Sequence, residues 1–88
     1  MKNRANIPQD GKRIAINGDW ELYYRYKTEN GWVSLKLLHK NSKSKGNYWF
    51  GFNGNRLSRT KDRYLLVTKY PEIEMWVVKK LLESNLTL

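Results

Sequence analysis

Three lysines, Lys40, Lys43 and Lys45, fall in the seven residues KNSKSKG, and the next six, NYWFGF, hold four aromatic rings: Tyr48, Trp49, Phe50 and Phe52. An ammonium group suits phosphate oxygens, and an aromatic face is a platform on which a nucleobase stacks. The same juxtaposition has a plainer reading, in which a flexible polar turn leads into a core strand. Downstream, Arg56, Arg59 and Arg63 are spaced i, i+3 and i+7. On a helix they share one edge whose guanidinium forks would take phosphates bidentately. On an extended segment the spacing has no such meaning.

Charge points the same way. Seventeen Lys and Arg against eight Asp and Glu give a net charge of +9. Between Lys36 and Arg63 lie eight bases (Lys36, Lys40, Lys43, Lys45, Arg56, Arg59, Lys61, Arg63) and one acid, Asp62, so this stretch carries +7 of the +9. A clustered excess in a small domain implies a polyanionic partner, through steering and counterion release. The bland alternative is a charged, solvated surface.

Catalytic chemistry has little to work with. The chain has one histidine, His39, and no cysteine. Asp10, Asp19, Glu21, Glu29, Asp62, Glu72, Glu74 and Glu83 show no metal-ligand spacing. Glu72 and Glu74 stand at a helix start, where dipole compensation accounts for them. There is no P-loop, GxGxxG or GxSxG pattern. The protein is expected not to be an enzyme and to need neither cofactor nor metal. A basic ribonuclease using Arg, Lys and Tyr leaves no spacing signature, so that class stays open as a test of activity.

The elements that must position these groups follow from period and punctuation. Eighty-eight residues make one small domain. The opening MKNRANIPQDGKR lacks a signal-peptide core, and the longest apolar runs, such as MWVV, are far below a membrane span. A cytoplasmic protein is expected, with a flexible N-terminal arm over residues 1–12 and one α+β domain over 13–88. A short strand at Arg13–Ile16 closes at Asn17-Gly18. In Trp20–Lys27 the residues Trp20, Leu22, Tyr24 and Tyr26 alternate with Glu21, Tyr23, Arg25 and Lys27, the period of a half-buried strand. Asn30-Gly31 supplies a hairpin turn into Trp32–His39, and Asn47–Phe52 ends at Asn53-Gly54. PEIEMWVVKKLLES switches to helical period, with Ile73, Val77 and Leu81 on one stripe beside Trp76. TKDRYLLVTKY suits a strand by composition, but Thr60 can cap a short helix that stops before Pro71, and the helix is preferred. The expected fold is α+β: an antiparallel meander of three or four strands covered on one face by a C-terminal helix, itself preceded by a short helix.

Two faces follow. Leu22, Tyr24, Val33, Leu35, Tyr48, Phe50 and Phe52 belong to the core. The opposite face carries Tyr23, Arg25, Lys27, Trp32, Ser34, Lys36 and Trp49, with Gly51 leaving room for a ligand or backbone to approach. The candidate nucleic-acid-binding set is therefore Arg25, Lys27, Trp32, Lys36, Lys40, Lys43, Lys45, Trp49, Arg56, Arg59 and Arg63. A second core formed by Trp32 and Trp49 is the structural alternative.

The order strand, Asn-Gly turn, strand, basic loop, strand, helix resembles the arm-binding domains of tyrosine integrases and the plant DNA-binding domains of the same three-stranded build. The matching parts are YYRYK, NGWVSLKL and YWFGF, over roughly residues 20–52. That resemblance implies a sheet face placed in a DNA major groove with a helix behind it. In those families the helix follows the third strand directly, whereas NGNRLSRTKDR intervenes here, so no residue role is carried over beyond the face. In style the chain is also similar to short phage and mobile-element proteins, compact, basic and rich in Trp and Tyr. That likeness implies an alternative, an anti-CRISPR-like or anti-defence inhibitor that binds a host protein or nucleoprotein complex.

Overall fold

The computed structural model describes residues 11–84. The expected arm lies outside the described residues as far as Asp10. Gly11 and Lys12 are hydrogen-bonded to the backbone of Tyr24, with the Gly11 N–H on the Tyr24 carbonyl and the Tyr24 N–H on the Lys12 carbonyl, both at 2.9 Å.

The α+β architecture is the expected one, with a longer meander. Strands β1 (Arg13–Asn17), β2 (Trp20–Lys27) and β3 (Val33–His39) are followed by a helical turn, α1 (Ser42–Lys45). Strands β4 (Asn47–Asn53) and β5 (Arg56–Leu57) then lead into helices α2 (Lys61–Lys69) and α3 (Pro71–Ser84). The five strands pair in sequence order, all antiparallel. Gly18, Gly31 and Gly54 occupy left-handed backbone at the hairpins, where any side chain would be strained. The β2–β3 connection is wider than a two-residue hairpin. Thr28 closes it, its N–H on the Trp32 carbonyl at 2.8 Å and its hydroxyl accepting the Trp32 N–H at 3.1 Å.

Alternation places Trp20, Leu22 and Tyr24 of β2, Val33, Leu35 and Leu37 of β3, and Tyr48, Phe50 and Phe52 of β4 on one buried face. Leu66 of α2 and Val77 and Leu81 of α3 close that core. Full burial of each large apolar side chain is worth about 1.5–3 kcal/mol, so this face is what holds sheet and helices together. Tyr70, at the α2–α3 corner, sets its ring against Trp20 (5.0 Å) and Tyr48 (6.4 Å).

The expected short helix α2 starts at Thr60, whose hydroxyl accepts the Arg63 N–H at 3.0 Å. It ends at Tyr70, where the backbone leaves helical angles ahead of Pro71. The residues before α2 also finish the sheet. Beyond the two-residue β5, Ser58 exchanges two hydrogen bonds with the backbone of Gly51, its N–H at 2.8 Å and its hydroxyl oxygen at 2.7 Å. Next along the edge, Asp62 accepts the Trp49 N–H at 3.0 Å and Thr60 donates to the Trp49 carbonyl at 3.2 Å. These groups thus continue the place of the short β5 along β4 and cover an edge that would otherwise be open to pairing. Because Thr60 both caps α2 and clasps β4, Thr60→Ala is expected to cost about 1–2 kcal/mol. At about 4–8 °C per kcal/mol for a domain of this size, the melting temperature followed by circular dichroism should fall by roughly 5–15 °C.

Three expectations are corrected. Tyr26 does not join the core face: the β2–β3 register skips Arg25, pairing Tyr24 with Leu35 and Tyr26 with Ser34. This bulge reverses the alternation and leaves Tyr26 45% exposed. KNSKSKG is not an open turn, because Ser42–Lys45 closes one helical turn and Gly46 leaves it at φ +83°. Glu74 does more than complement a helix dipole. It is buried to 9% exposure, and one carboxylate oxygen accepts from Arg63 Nε at 3.2 Å and Nη2 at 3.0 Å, tying α3 to α2.

Candidate nucleic-acid interface

The helices occupy one face of the sheet, and the register defines what the other face presents. Tyr23, Lys36 and Trp49 are direct cross-strand neighbours on β2, β3 and β4, and Arg13 of β1 continues the row beside Tyr23. Arg25, displaced by the bulge, reaches this row. Its guanidinium carbon stands 4.0 Å from the centre of the Trp49 ring and 5.1 Å from that of Tyr26. One terminal nitrogen donates to the Ser34 hydroxyl at 3.1 Å. Lys36 Nζ is 5.4 Å from the same Trp49 ring. Two cations therefore share one indole that is still 38% exposed. Ring quadrupoles stabilise such cations by about 0.5–1 kcal/mol each at exposed sites, so the rings hold the charges in place more than they hold the fold together.

Trp32 lies just before β3, and its ring occupies the space over Gly51. A Cβ on Gly51 would come 3.2 Å from the indole Cε3 and 3.5 Å from the Ser58 hydroxyl. The opening expected at Gly51 is thus filled by the protein's own side chains. Arg56 sits 5.9 Å from the centre of the Trp32 ring. Trp32, Arg56, Leu57, Ser58, Arg59 and Arg63 line an open hollow of about 560 Å³ at the β5 edge. The three arginines are not on one helix: Arg56 is in β5, Arg59 in the following loop and Arg63 in α2. They still converge on the hollow, but Arg63 gives two donors to Glu74, so Arg56 and Arg59 are its available guanidinium groups.

The remaining expected residues lie elsewhere. Lys40, Lys43 and Lys45 belong to the β3–β4 connection, at the opposite end of the strands from Trp32 and Arg56. Some 20 Å of strand separates the two ends. Lys45 leans toward the helical layer, with Nζ 5.7 Å from the Tyr70 ring. Lys27, beyond the bulge, is opposite Val33 and so falls on the core side of the sheet margin. The sequence set divides into a central group (Arg25, Lys36, Trp49), an adjoining edge group (Trp32, Arg56, Arg59, with Arg63 behind) and a distant lysine turn.

Electrostatics concentrate the positive charge on the β3–β5 side. On the β1–β2 side the outer face carries Glu21, with Arg13 3.5 Å from it. Tyr23 donates its hydroxyl to Glu21 at 2.6 Å, and this hydrogen bond, with burial and the nearby carboxylate charge, pushes the phenol above its ordinary pKa. Among the described residues no carboxylate pairs with Arg25, Lys36, Arg56 or Arg59. Burial, then Tyr70 and Asp62, likewise raises the Tyr48 phenol, whose hydroxyl donates to the Lys45 carbonyl at 3.2 Å. His39 is engaged in the framework: its ring packs edge-on to Trp20 at 4.8 Å, and Nδ1 accepts the Asn41 N–H at 2.8 Å.

Sequence reasoning missed Arg13 and Tyr26 on the outer face, and the structural roles of Ser58 and Asp62. A register shift between Arg13 and Ala15 breaks the alternation of β1 as well, so period two could not have placed Arg13. Nothing in the period-two pattern of WELYYRYK announces a bulge at Arg25. Comparison with protein-family models, curated proteins and solved structures returns no match. Among the described residues no helix is long and apolar enough to cross a membrane.

Proposed function

We propose that this protein is a non-enzymatic nucleic-acid-binding domain of the cytoplasm, whose outer sheet face and β5 edge form the contact surface, with the lysine turn between β3 and β4 meeting backbone phosphates at the other end of the strands. The observation that supports this most is the Arg25–Trp49–Lys36 assembly. Two cations without acidic partners are braced on one exposed indole, beside a hollow carrying Arg56 and Arg59. Arranged cations of this kind would displace counterions from a phosphate backbone, so binding should be steep in salt.

The test is a titration of labelled DNA and RNA over a salt series. With about five phosphates engaged, log K should fall against log salt with a slope near −4 to −5. Lys43→Ala with Lys45→Ala is expected to weaken binding alike for every sequence and to flatten that slope by about one to two units. An unchanged slope removes the lysine turn from the interface.

A second reading draws on the helical layer. Tyr64 and Val67 of α2 and Met75 and Leu82 of α3 are exposed apolar side chains. They would suit a small inhibitor that binds a protein or nucleoprotein partner, with Tyr and Arg as anchors. Capture from a host lysate that survives nuclease treatment, together with no binding to purified nucleic acid, would favour this second class.

A further inference from the structure

We infer that the face takes paired rather than single-stranded nucleic acid, with Arg25 as the group that reads it and Trp49 as the residue that positions Arg25. The inference rests on the nucleic-acid reading above and goes beyond it by naming the form of the ligand.

A single strand is held on a protein surface by a basic groove along its backbone together with bases stacking on bare aromatic faces. On this surface the two candidate platforms are already engaged by the chain itself. The Arg25 guanidinium carbon is 4.0 Å from the Trp49 ring centre, the distance at which a stacked base would lie, and Lys36 Nζ is at 5.4 Å. The Trp32 ring is packed against Gly51, close enough that a Cβ there would meet it at 3.2 Å, and the Arg56 guanidinium stands 5.9 Å from its centre. A base seeking either indole would have to displace a cation that the ring attracts.

What the face offers instead is directed donors. Guanidinium has five N–H donors in a fixed fork. Arg25 commits one nitrogen to the Ser34 hydroxyl at 3.1 Å and is stacked on Trp49, so the remaining donors are held in orientation without a carboxylate to occupy them. Such a fork matches the edge of a base or a phosphate, not its face. A duplex keeps its base faces stacked inward and presents edges and phosphates outward. The ligand whose accessible groups match this surface is therefore a duplex, with Lys36, Arg56 and Arg59 taking backbone phosphates around Arg25.

The experiment measures affinity for a labelled DNA duplex and for each of its separated strands, using the full chain and its Arg25→Ala, Trp49→Ala, Trp49→Phe and doubly substituted Arg25→Ala/Trp49→Ala variants. Thermal unfolding establishes that each variant is folded. The duplex should bind at least about tenfold more tightly than either strand, and Trp49→Ala and Arg25→Ala should each weaken it roughly 5- to 100-fold. Trp49→Ala should cost little further once Arg25 is alanine, because positioning and reading are one interaction. Trp49→Phe, which keeps a ring for the guanidinium, should retain most of the affinity. Tighter binding of the single strands, or a Trp49→Ala loss that persists in full without Arg25, overturns the inference and makes Trp49 a stacking platform. Absence of saturable binding to every nucleic acid removes the proposed function along with it.

Discussion

Replacing Arg25 and Lys36 together with alanine is expected to weaken duplex binding by about 30- to 1,000-fold, since an oriented arginine contributes about 1–3 kcal/mol and a phosphate-bound lysine about 1 kcal/mol. Both side chains rest on Trp49 from the uncovered side of the sheet, and neither packs in the core cluster. Their loss should therefore lower stability by no more than three exposed cation–π contacts and the Ser34 hydrogen bond, about 2–4 kcal/mol in all. Affinity measured by fluorescence anisotropy beside a thermal melt separates the two effects. A large fall in melting temperature with unchanged affinity would mean that the assembly on Trp49 is a second core. Arg25→Lys sharpens the result: it keeps the charge but loses the fork, and most of the Arg25 contribution should disappear with it.

The opposite outcome is expected from a substitution one face away. Phe52 lies on the same strand as Trp49, is 2% exposed, and belongs to the cluster with Leu66, Val77 and Leu81. Phe52→Ala should destabilise the domain by about 3–5 kcal/mol through lost transfer energy and a cavity that cannot fully collapse. The melting temperature should drop by roughly 15–40 °C. For a chain this small that is a large part of the whole folding free energy. Measured on the fraction that remains folded, affinity for nucleic acid should change little. The strand YWFGF thus carries both answers to the juxtaposition of lysines and rings: Tyr48, Phe50 and Phe52 build the core, and Trp49 serves the surface.

Much of this was legible because the sheet is governed by a local rule. Alternation in WELYYRYK, VSLKLLH and NYWFGFN assigned each buried residue of β3 and β4 to its face, and the Asn-Gly pairs marked the turns. The helical period of PEIEMWVVKKLLES, with Pro71 at its first position, located α3. What escaped depends on contacts between distant residues. The bulge at Arg25 breaks period two without any glycine or proline to announce it, and it alone turns Tyr26 outward and brings Arg25 over Trp49. Gly51 looked like an approach for a ligand because its neighbour in space, Trp32, is nineteen positions earlier. Glu74 looked like a dipole-complementing acid because its partner, Arg63, belongs to another helix. The arginine spacing looked helical, yet the convergence of Arg56, Arg59 and Arg63 arises from a hairpin, a loop and a helix start meeting at one edge.

The most direct measurement is an NMR titration of the labelled protein with a short DNA duplex, following backbone amides and the indole N–H signals of all four tryptophans. Trp32 and Trp49, with Tyr23, Ser34 and Lys36, should shift in a saturable, salt-sensitive way. Trp20 is buried against the helices and supplies the internal reference that should stay in place. Shifts confined to α2 and α3 around Tyr64, Val67, Met75 and Leu82, or no shifts at low salt, would contradict the outer face as a nucleic-acid interface.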